Sequence, residues 1–198
     1  MKKFKIADIG FVLLLLFFGA MLVSPKVKGF VLRQLIKTGL YEPNVDHLKP
    51  KSVSVSDKTT VKMAPAATFR NSTGQTVDIA NSKGKVIFLN FWATWCPPCI
   101  AEMPSVNSLR SKFKNNPDVL FVMADIDNKM ERSESFMKKN KYDLPVYEPT
   151  SSIPESIFQG TVPTTLIINK SGEIVFFHEG MADYNSDEME KFLTDLAK

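Results

Sequence analysis

Cysteine and histidine are scarce in this sequence, with two of each among 198 residues. One pair of cysteines cannot form a framework of structural disulfides, and a zinc site would need further ligands, for which only His47 and His178 are available besides carboxylates. We therefore predict no metal site. The two cysteines, Cys96 and Cys99, are three positions apart, which is the spacing of many redox-active dithiols. An inert disulfide is the alternative for this pair.

The sequence also lacks a dense block of lysine and arginine. Its formal net charge is +4, from 25 basic and 21 acidic residues. Lysine is spread along the whole chain and often stands beside Asp or Glu, whereas nucleic-acid-binding domains concentrate their basic residues on one face. We therefore do not expect this protein to bind nucleic acid.

Charged residues are absent between Ile9 and Val23, and a basic head with three lysines precedes this run. Extended back by three residues, the run would form a helix of about 27 Å, close to the roughly 30 Å of a bilayer's hydrocarbon core. We predict that residues 1–25 form a single transmembrane anchor, with a cleaved signal peptide as the alternative. A basic and then apolar N-terminus is read by export machinery, so we expect the rest of the chain outside the cytoplasm, on a bacterial cytoplasmic membrane.

Residues 26–65 differ in composition from both neighbouring regions. On a helical wheel, Lys26, Arg33 and Lys37 share one stripe and apolar residues fill the opposite side. This pattern suits a helix on the membrane surface, or a helix packed on its own domain or on a partner subunit. From residue 42 onwards the composition is polar, which indicates a linker.

Residues 66–198 have the length of one typical domain. Apolar runs that suit buried strands alternate with segments of helical periodicity, and Ser186 is placed to cap the last helix. The predicted order is a strand at 67–70, a strand at 76–79, a strand at 86–91, a helix at 96–114, a strand at 119–124, a helix at 132–140, a hairpin of strands at 165–169 and 174–177, and a helix at 186–197. This order predicts an α/β fold with a mixed sheet in a three-layer α/β/α sandwich.

Two motifs carry a family resemblance. Residues 90–104, Asn-Phe-Trp-Ala-Thr-Trp-Cys-Pro-Pro-Cys-Ile-Ala-Glu-Met-Pro, resemble the active-site stretch of thioredoxin-fold proteins, and most of all that of the TlpA/ResA-type membrane-anchored thiol–disulfide oxidoreductases. Gly-Thr-Val-Pro-Thr-Thr at 160–165 resembles their cis-proline loop. The resemblance covers residues 66–197. It implies a thioredoxin-like fold, a cis Pro163 facing the cysteines, and no cofactor besides the Cys96–Cys99 disulfide.

The position of Cys96 before a helix predicts its role. A thiolate is the nucleophile of disulfide exchange, and helix N-terminal N–H groups favour it. Cys96 would attack a substrate disulfide and Cys99 would resolve the mixed disulfide. Pro97 and Pro98 lack two N–H groups that could solvate the Cys96 thiolate, so we predict a fairly reducing pair.

Side chains around the pair are candidates for supporting roles. Glu102, three residues after Cys99, could exchange a proton with it, or could be a surface carboxylate in an early helical turn. Thioredoxins proper carry an aspartate where this sequence has Asn90, and we expect the amide to satisfy local backbone groups. Trp95 would shield the sulfurs and form part of the docking surface, whereas Trp92 would pack in the core.

The docking surface would also include the cis-proline loop. The backbone of Val162, next to Pro163, would pair with an extended segment of the substrate, like an added strand.

We predict a protein-disulfide reductase that passes electrons from a membrane donor to disulfide-containing proteins. Its substrates could include the haem-binding cysteines of apocytochromes during cytochrome c maturation, or periplasmic thiols in general. A dithiol oxidant or isomerase is one alternative. A copper chaperone is another, although such a function usually recruits a histidine near the cysteines and His178 is the only candidate.

Overall fold

The computed structural model describes residues 6–37, 62–82 and 84–198, so most of the predicted polar linker, with His47, lies outside the described residues. The described elements, in chain order, are α1 (Ile6–Val23), α2 (Pro25–Lys37), β1 (Thr68–Arg70), β2 (Thr76–Asp78), β3 (Val86–Trp92), α3 (Pro97–Lys112), β4 (Val119–Asp125), α4 (Met130–Lys139), β5 (Val146–Pro149), β6 (Thr164–Ile168), β7 (Ile174–Glu179) and α5 (Asp187–Leu196).

The seven strands form one mixed sheet in the order β2-β1-β5-β4-β3-β6-β7. Strand β3 lies near its centre, parallel to β4 and antiparallel to β6. All seven residues of β3 are buried, as expected when both faces of a strand are covered. The predicted α/β fold with a mixed sheet is confirmed.

The layers on the two faces of the sheet differ from the prediction. The crossovers β3-α3-β4 and β4-α4-β5 step in the same direction across the sheet, and right-handed crossovers then place both helices on one face. Buried side chains of α3, α4 and α5 accordingly belong to one core cluster. Among the described residues, the cluster on the other face comprises strand and loop side chains, including Phe69 and Ile157, so the predicted second helical layer is not found there.

The sheet positions the cysteine pair at the end of β3. The chain leaves β3 at Trp92 and enters α3 at Pro97, with Cys96 as the N-cap residue in an extended conformation. This short connection explains why the predicted helix at 96–114 and the observed α3 nearly coincide. Strand β5 was not predicted, because it has only four residues and ends at Pro149.

The N-terminal segment is helical where the anchor was predicted. Apolar side chains of α1 are exposed, among them Phe11 and Leu16. No helix among the described residues is long and apolar enough to cross a membrane, so the predicted anchor is not confirmed.

Helix α2 packs on the domain. Its Gly29 is buried against Pro97 and Ile100 of α3. This contact agrees with the second of the two interpretations of the segment, a helix packed on its own domain.

Candidate redox site

Cys96 and Cys99 form a disulfide, with sulfur atoms 2.05 Å and Cα atoms 5.3 Å apart. Both side chains are buried, Cys96 with 1% of its surface exposed. The Cys96 Sγ atom accepts a hydrogen bond from the backbone N–H of Cys99 at 3.2 Å. Pro97 and Pro98 occupy the first two positions of α3 and have no N–H, so Cys99 provides the first backbone donor of the helix to this sulfur.

The loop between β5 and β6 brings a second predicted motif to the cysteines. The Val162–Pro163 peptide bond is cis, as predicted. The Val162 carbonyl oxygen lies 3.7 Å from Cys96 Sγ. Residues 66 positions apart in the sequence thus meet at the sulfur that was predicted to be the nucleophile.

The two tryptophans of the motif have different environments. Trp92 is fully buried and its ring lies 5.5 Å from that of Phe136, so the predicted core role is confirmed. Trp95 is 46% exposed, and its Nε1 donates a 2.7 Å hydrogen bond to Asp127 Oδ2. The ring is therefore held at the surface beside Cys96.

Asp127, which fixes Trp95, was missed by the sequence interpretation. It follows β4, and its backbone N–H donates to Asp125 Oδ1 at 3.1 Å. The available signal was its place just beyond the carboxyl end of a strand parallel to β3, because such strand ends lie together at one edge of a sheet.

Glu102 is buried, with 2% of its surface exposed, so its interpretation as a surface carboxylate is wrong. Its Oε1 accepts a hydrogen bond from Asn90 Nδ2 at 2.8 Å, and its Oε2 accepts one from the backbone N–H of Ala182 at 3.2 Å. Burial raises the pKa of Glu102 to about 8, and the two hydrogen bonds offset part of this effect. Glu102 is therefore mostly protonated at neutral pH in this oxidised state.

Asn90 connects Glu102 to the sheet. Its Nδ2 donates both to Glu102 and to Thr165 Oγ1, the latter at 2.9 Å, and Thr165 is its cross-strand neighbour on β6. Asn90 thus bonds side chains rather than local backbone groups, and that expectation was wrong.

Tyr184 closes the same buried region from the segment before α5. Burial raises the pKa of the Tyr184 phenol well above its usual value, and the nearby carboxylate of Glu102 contributes a smaller increase. Its backbone N–H donates to Ser105 Oγ on α3 at 3.1 Å, which holds this segment against the helix. No sequence motif marks Ala182 or Tyr184 as neighbours of Glu102.

Metal ligands are not grouped in the described part of the chain. No set of three His, Cys, Asp or Glu side chains there is arranged to hold a metal ion. His178 lies on β7 opposite Thr165.

Comparison with known proteins agrees with the geometry. Residues 58–193 match the Redoxin family. A thiol–disulfide oxidoreductase ResA of Bacillus cereus is 31% identical over 136 residues, which cover 68% of this chain and 77% of the relative. ResA of Bacillus subtilis is 31% identical over 113 residues, covering 57% of this chain and 63% of that protein.

Solved structures show the same fold. StoA from Bacillus subtilis superposes with a TM-score of 0.51 at 26% identity, covering 69% of this chain and 100% of that one. A putative thiol:disulfide interchange protein DsbE from Chlorobium tepidum gives a TM-score of 0.58 at 24% identity, covering 70% and 97%. With its cysteine pair at the start of α3 and a cis-proline loop against the sulfur, this chain belongs to the Redoxin family and is a thiol–disulfide oxidoreductase of the ResA type.

Proposed function

We propose that this oxidoreductase works as a protein-disulfide reductase outside the cytoplasm. The observation that carries the proposal is the environment of Cys96 Sγ, where Pro97 and Pro98 leave Cys99 as the first backbone donor of α3. Fewer N–H groups stabilise a thiolate less, and a less stable reduced form makes a dithiol more reducing.

The reductive cycle has two steps. The Cys96 thiolate attacks one sulfur of the substrate disulfide, and a mixed disulfide forms while the other substrate sulfur leaves as a thiolate. Cys99 then loses its proton and attacks Cys96 Sγ, the substrate sulfur leaves as a thiolate, and the Cys96–Cys99 disulfide of the present structure forms. The substrate gains two electrons, and a membrane donor returns two electrons to the protein.

The ionised fraction of Glu102 accepts the proton that Cys99 must lose in the second step. It lies one helical turn after Cys99, and both side chains are on the buried face of α3. Its pKa of about 8 is close to the ordinary value of about 8.5 for a thiol. Proton transfer between groups of similar pKa has little free-energy cost, which suits a general base in a buried site.

The substrate docks on the surface formed by Trp95, Pro97, Pro98 and the loop of Val162 and Pro163. The exposed ring of Trp95 provides apolar area, and the Val162 backbone offers pairing to an extended segment. Disulfide-bonded proteins are the substrate class, among them apocytochromes whose haem-binding cysteines must be reduced for cytochrome c maturation. General maintenance of periplasmic thiols uses the same chemistry.

Attachment to the cytoplasmic membrane is part of this proposal. The basic head before α1 and the apolar side chains that α1 exposes support it. The anchor would keep the domain beside its electron donor.

Intact spheroplasts of the native host test reductase direction and location together. Spheroplasts that produce the full-length chain receive disulfide-bonded insulin, which cannot enter, and external insulin thiols are followed over time. We expect thiols to appear at least about tenfold faster than with Cys96→Ala, since exchange requires a thiolate, and we expect the chain to sediment with membranes.

The outcome that would contradict the proposal is equal thiol release by the two kinds of spheroplast. Activity that appears only after lysis would place the domain in the cytoplasm, and a chain found in the soluble fraction would rule out the tether.

A further inference from the structure

Helix α2 lies against the first turn of α3. A Cβ atom on Gly29, in the middle of α2, would lie 3.2 Å from the carbonyl oxygen of Pro97 and 3.1 Å from Cγ2 of Ile100. These distances leave little room for a side chain, so the α2 backbone approaches α3 closely. Pro97 directly follows Cys96, and α2 therefore lies over the end of α3 that carries the disulfide.

The glycine itself indicates that this contact is specific. Glycine is the least favourable residue inside a helix apart from proline, and it is tolerated where a backbone must approach a neighbour closely. Gly19, in α1, has no atom within 4 Å of the place its Cβ would take. Of Gly19 and Gly29, the latter is the one held against the redox domain.

The sulfur atoms are closed off in this arrangement. Thiol–disulfide exchange requires a thiolate to reach a disulfide sulfur, yet Cys96 is 1% exposed and Cys99 is fully buried. Trp95, the residue before Cys96, remains 46% exposed, so the docking surface reaches solvent while the reacting atoms do not. Something must move before a thiolate of another molecule can reach this disulfide.

We propose that α2 is a removable cover of the redox site, which occupies part of the surface needed by a docking protein and must leave α3 before Cys96 can exchange. This is a regulation of the proposed reductase and rests on that function. The backbone continues from α1 into α2 through Ser24, whose N–H donates to Ala20 and whose carbonyl accepts from Lys28. A movement of α1 therefore also moves α2, the proposed cover.

The experiment follows the rate at which dithiothreitol reduces the disulfide of the oxidised, full-length chain, purified in detergent. This rate reports how often α2 leaves the redox site. A thiolate of the reagent attacks Cys96 Sγ, the Cys96–Cys99 bond breaks, and Cys99 leaves as a thiolate and takes up a proton. The second thiol of the reagent then releases Cys96 and closes the oxidised ring. If the attack occurs from an uncovered state, the rate follows the population of that state.

A side chain at position 29 should open the cover. We expect Gly29→Leu to be reduced at least about tenfold faster than the natural chain, because overpacking shifts α2 off α3. Gly29→Ala should give a smaller increase. Alanine and leucine both favour helix more than glycine does, so faster reduction would reflect lost packing and not a melted helix.

Gly19→Leu is the matched control, and we expect its rate to stay within about twofold of the natural one because the position is open. Unchanged or slower reduction of both Gly29 variants, or equal acceleration by Gly19→Leu, would overturn the proposal that α2 covers the redox site. If Gly29→Leu fails to fold, Gly29→Ala decides by the same criterion. Insulin reduction by the natural chain is measured separately. If the proposal that α2 covers the site fails, the reductase proposal is therefore unaffected.

Discussion

Replacing Cys99 by alanine is expected to stop turnover and to leave Cys96 covalently joined to the proteins that it attacks. The mixed disulfide would then await an external thiol, whereas Cys99 acts within the same molecule. Intramolecular groups can have effective concentrations far above those of free reactants, so we expect turnover to fall by about a thousandfold or more. Alanine is chosen over serine because Cys99 is fully buried. A serine hydroxyl there would be removed from water and could lack a hydrogen-bond partner, which costs stability. Mass spectrometry of the trapped adducts identifies the substrates.

Cys96→Ala is the matched control for this trap. It should be equally inactive but should accumulate no adduct, because Cys96 is the sulfur beside Val162 and Trp95, on the docking side. Adducts on Cys99 of the Cys96→Ala chain, with none on Cys96 of the Cys99→Ala chain, would reverse the assigned roles. No adducts from native membranes with either variant would count against a protein substrate.

Replacing Glu102 by glutamine should slow the resolution step by about a hundredfold at pH 7, within the range of general acid–base catalysis. The amide keeps the size of the side chain but cannot take the Cys99 proton. Stopped-flow measurement of mixed-disulfide decay isolates this step. In the natural chain the rate should rise as pH passes through about 8, where Glu102 ionises.

Glu155→Gln is the control for that measurement, since Glu155 is an exposed carboxylate. Its resolution rate and pH profile should match those of the natural chain. A Glu102→Gln chain that resolves mixed disulfides at the natural rate would remove Glu102 from the mechanism and leave it with a structural role.

The raised pKa of Glu102 has a further consequence for the stability of the same variant. Between about pH 4.5 and about pH 8, the unfolded chain releases the Glu102 proton while the folded chain keeps it. The unfolded state then binds fewer protons, so the free energy of unfolding falls as pH rises, by on the order of 5 kcal/mol over the whole window. Glu102→Gln lacks this contribution. Urea unfolding should show that, between pH 5 and pH 8, the free energy of unfolding falls more in the natural chain than in the variant. Equal falls in both chains would contradict a raised pKa of Glu102 in the folded state.

Local sequence patterns were sufficient for the elements that carry the cysteines. The apolar run in β3 has no charge along its length because both of its faces are buried, and the two prolines after Cys96 suit the first turn of a helix. These signals predicted a strand, a tight connection and a helix with the nucleophile at its tip. The resemblance added the cis-proline loop, which the structure brings to within 3.7 Å of Cys96.

Contacts distant in sequence were not predictable in the same way. Glu102 accepts a hydrogen bond from Ala182, which is 80 residues away in the sequence. Asn90, which also donates to Glu102, donates to Thr165, 75 residues from Asn90. Burial of a carboxylate depends on which segments cover it, and periodicity within one helix does not contain that information. Packing of this helix on its own domain was one of the two interpretations, but its contact at Pro97 could not be located for the same reason, although a glycine in an amphipathic helix was a signal that the helix approaches another backbone.

The faces of the sheet illustrate a different limit. Alternating strands and helices predicted helices on both faces, but the sense of successive crossovers decides the face, and this requires the strand order. The four-residue strand β5, which fixes that order beyond β4, gave too little pattern to be recognised.

The reduction potential of the Cys96–Cys99 couple, measured in equilibrium with glutathione, tests the central claim most directly. We predict a value nearer to the roughly −270 mV of thioredoxin than to the roughly −120 mV of DsbA. Pro97→Ala with Pro98→Ala restores two backbone donors to the Cys96 thiolate and should raise the potential by about 30 to 60 mV. A natural chain poised near −120 mV, with no change in the double variant, would contradict a reductase whose first helical turn withholds its N–H groups from the nucleophile.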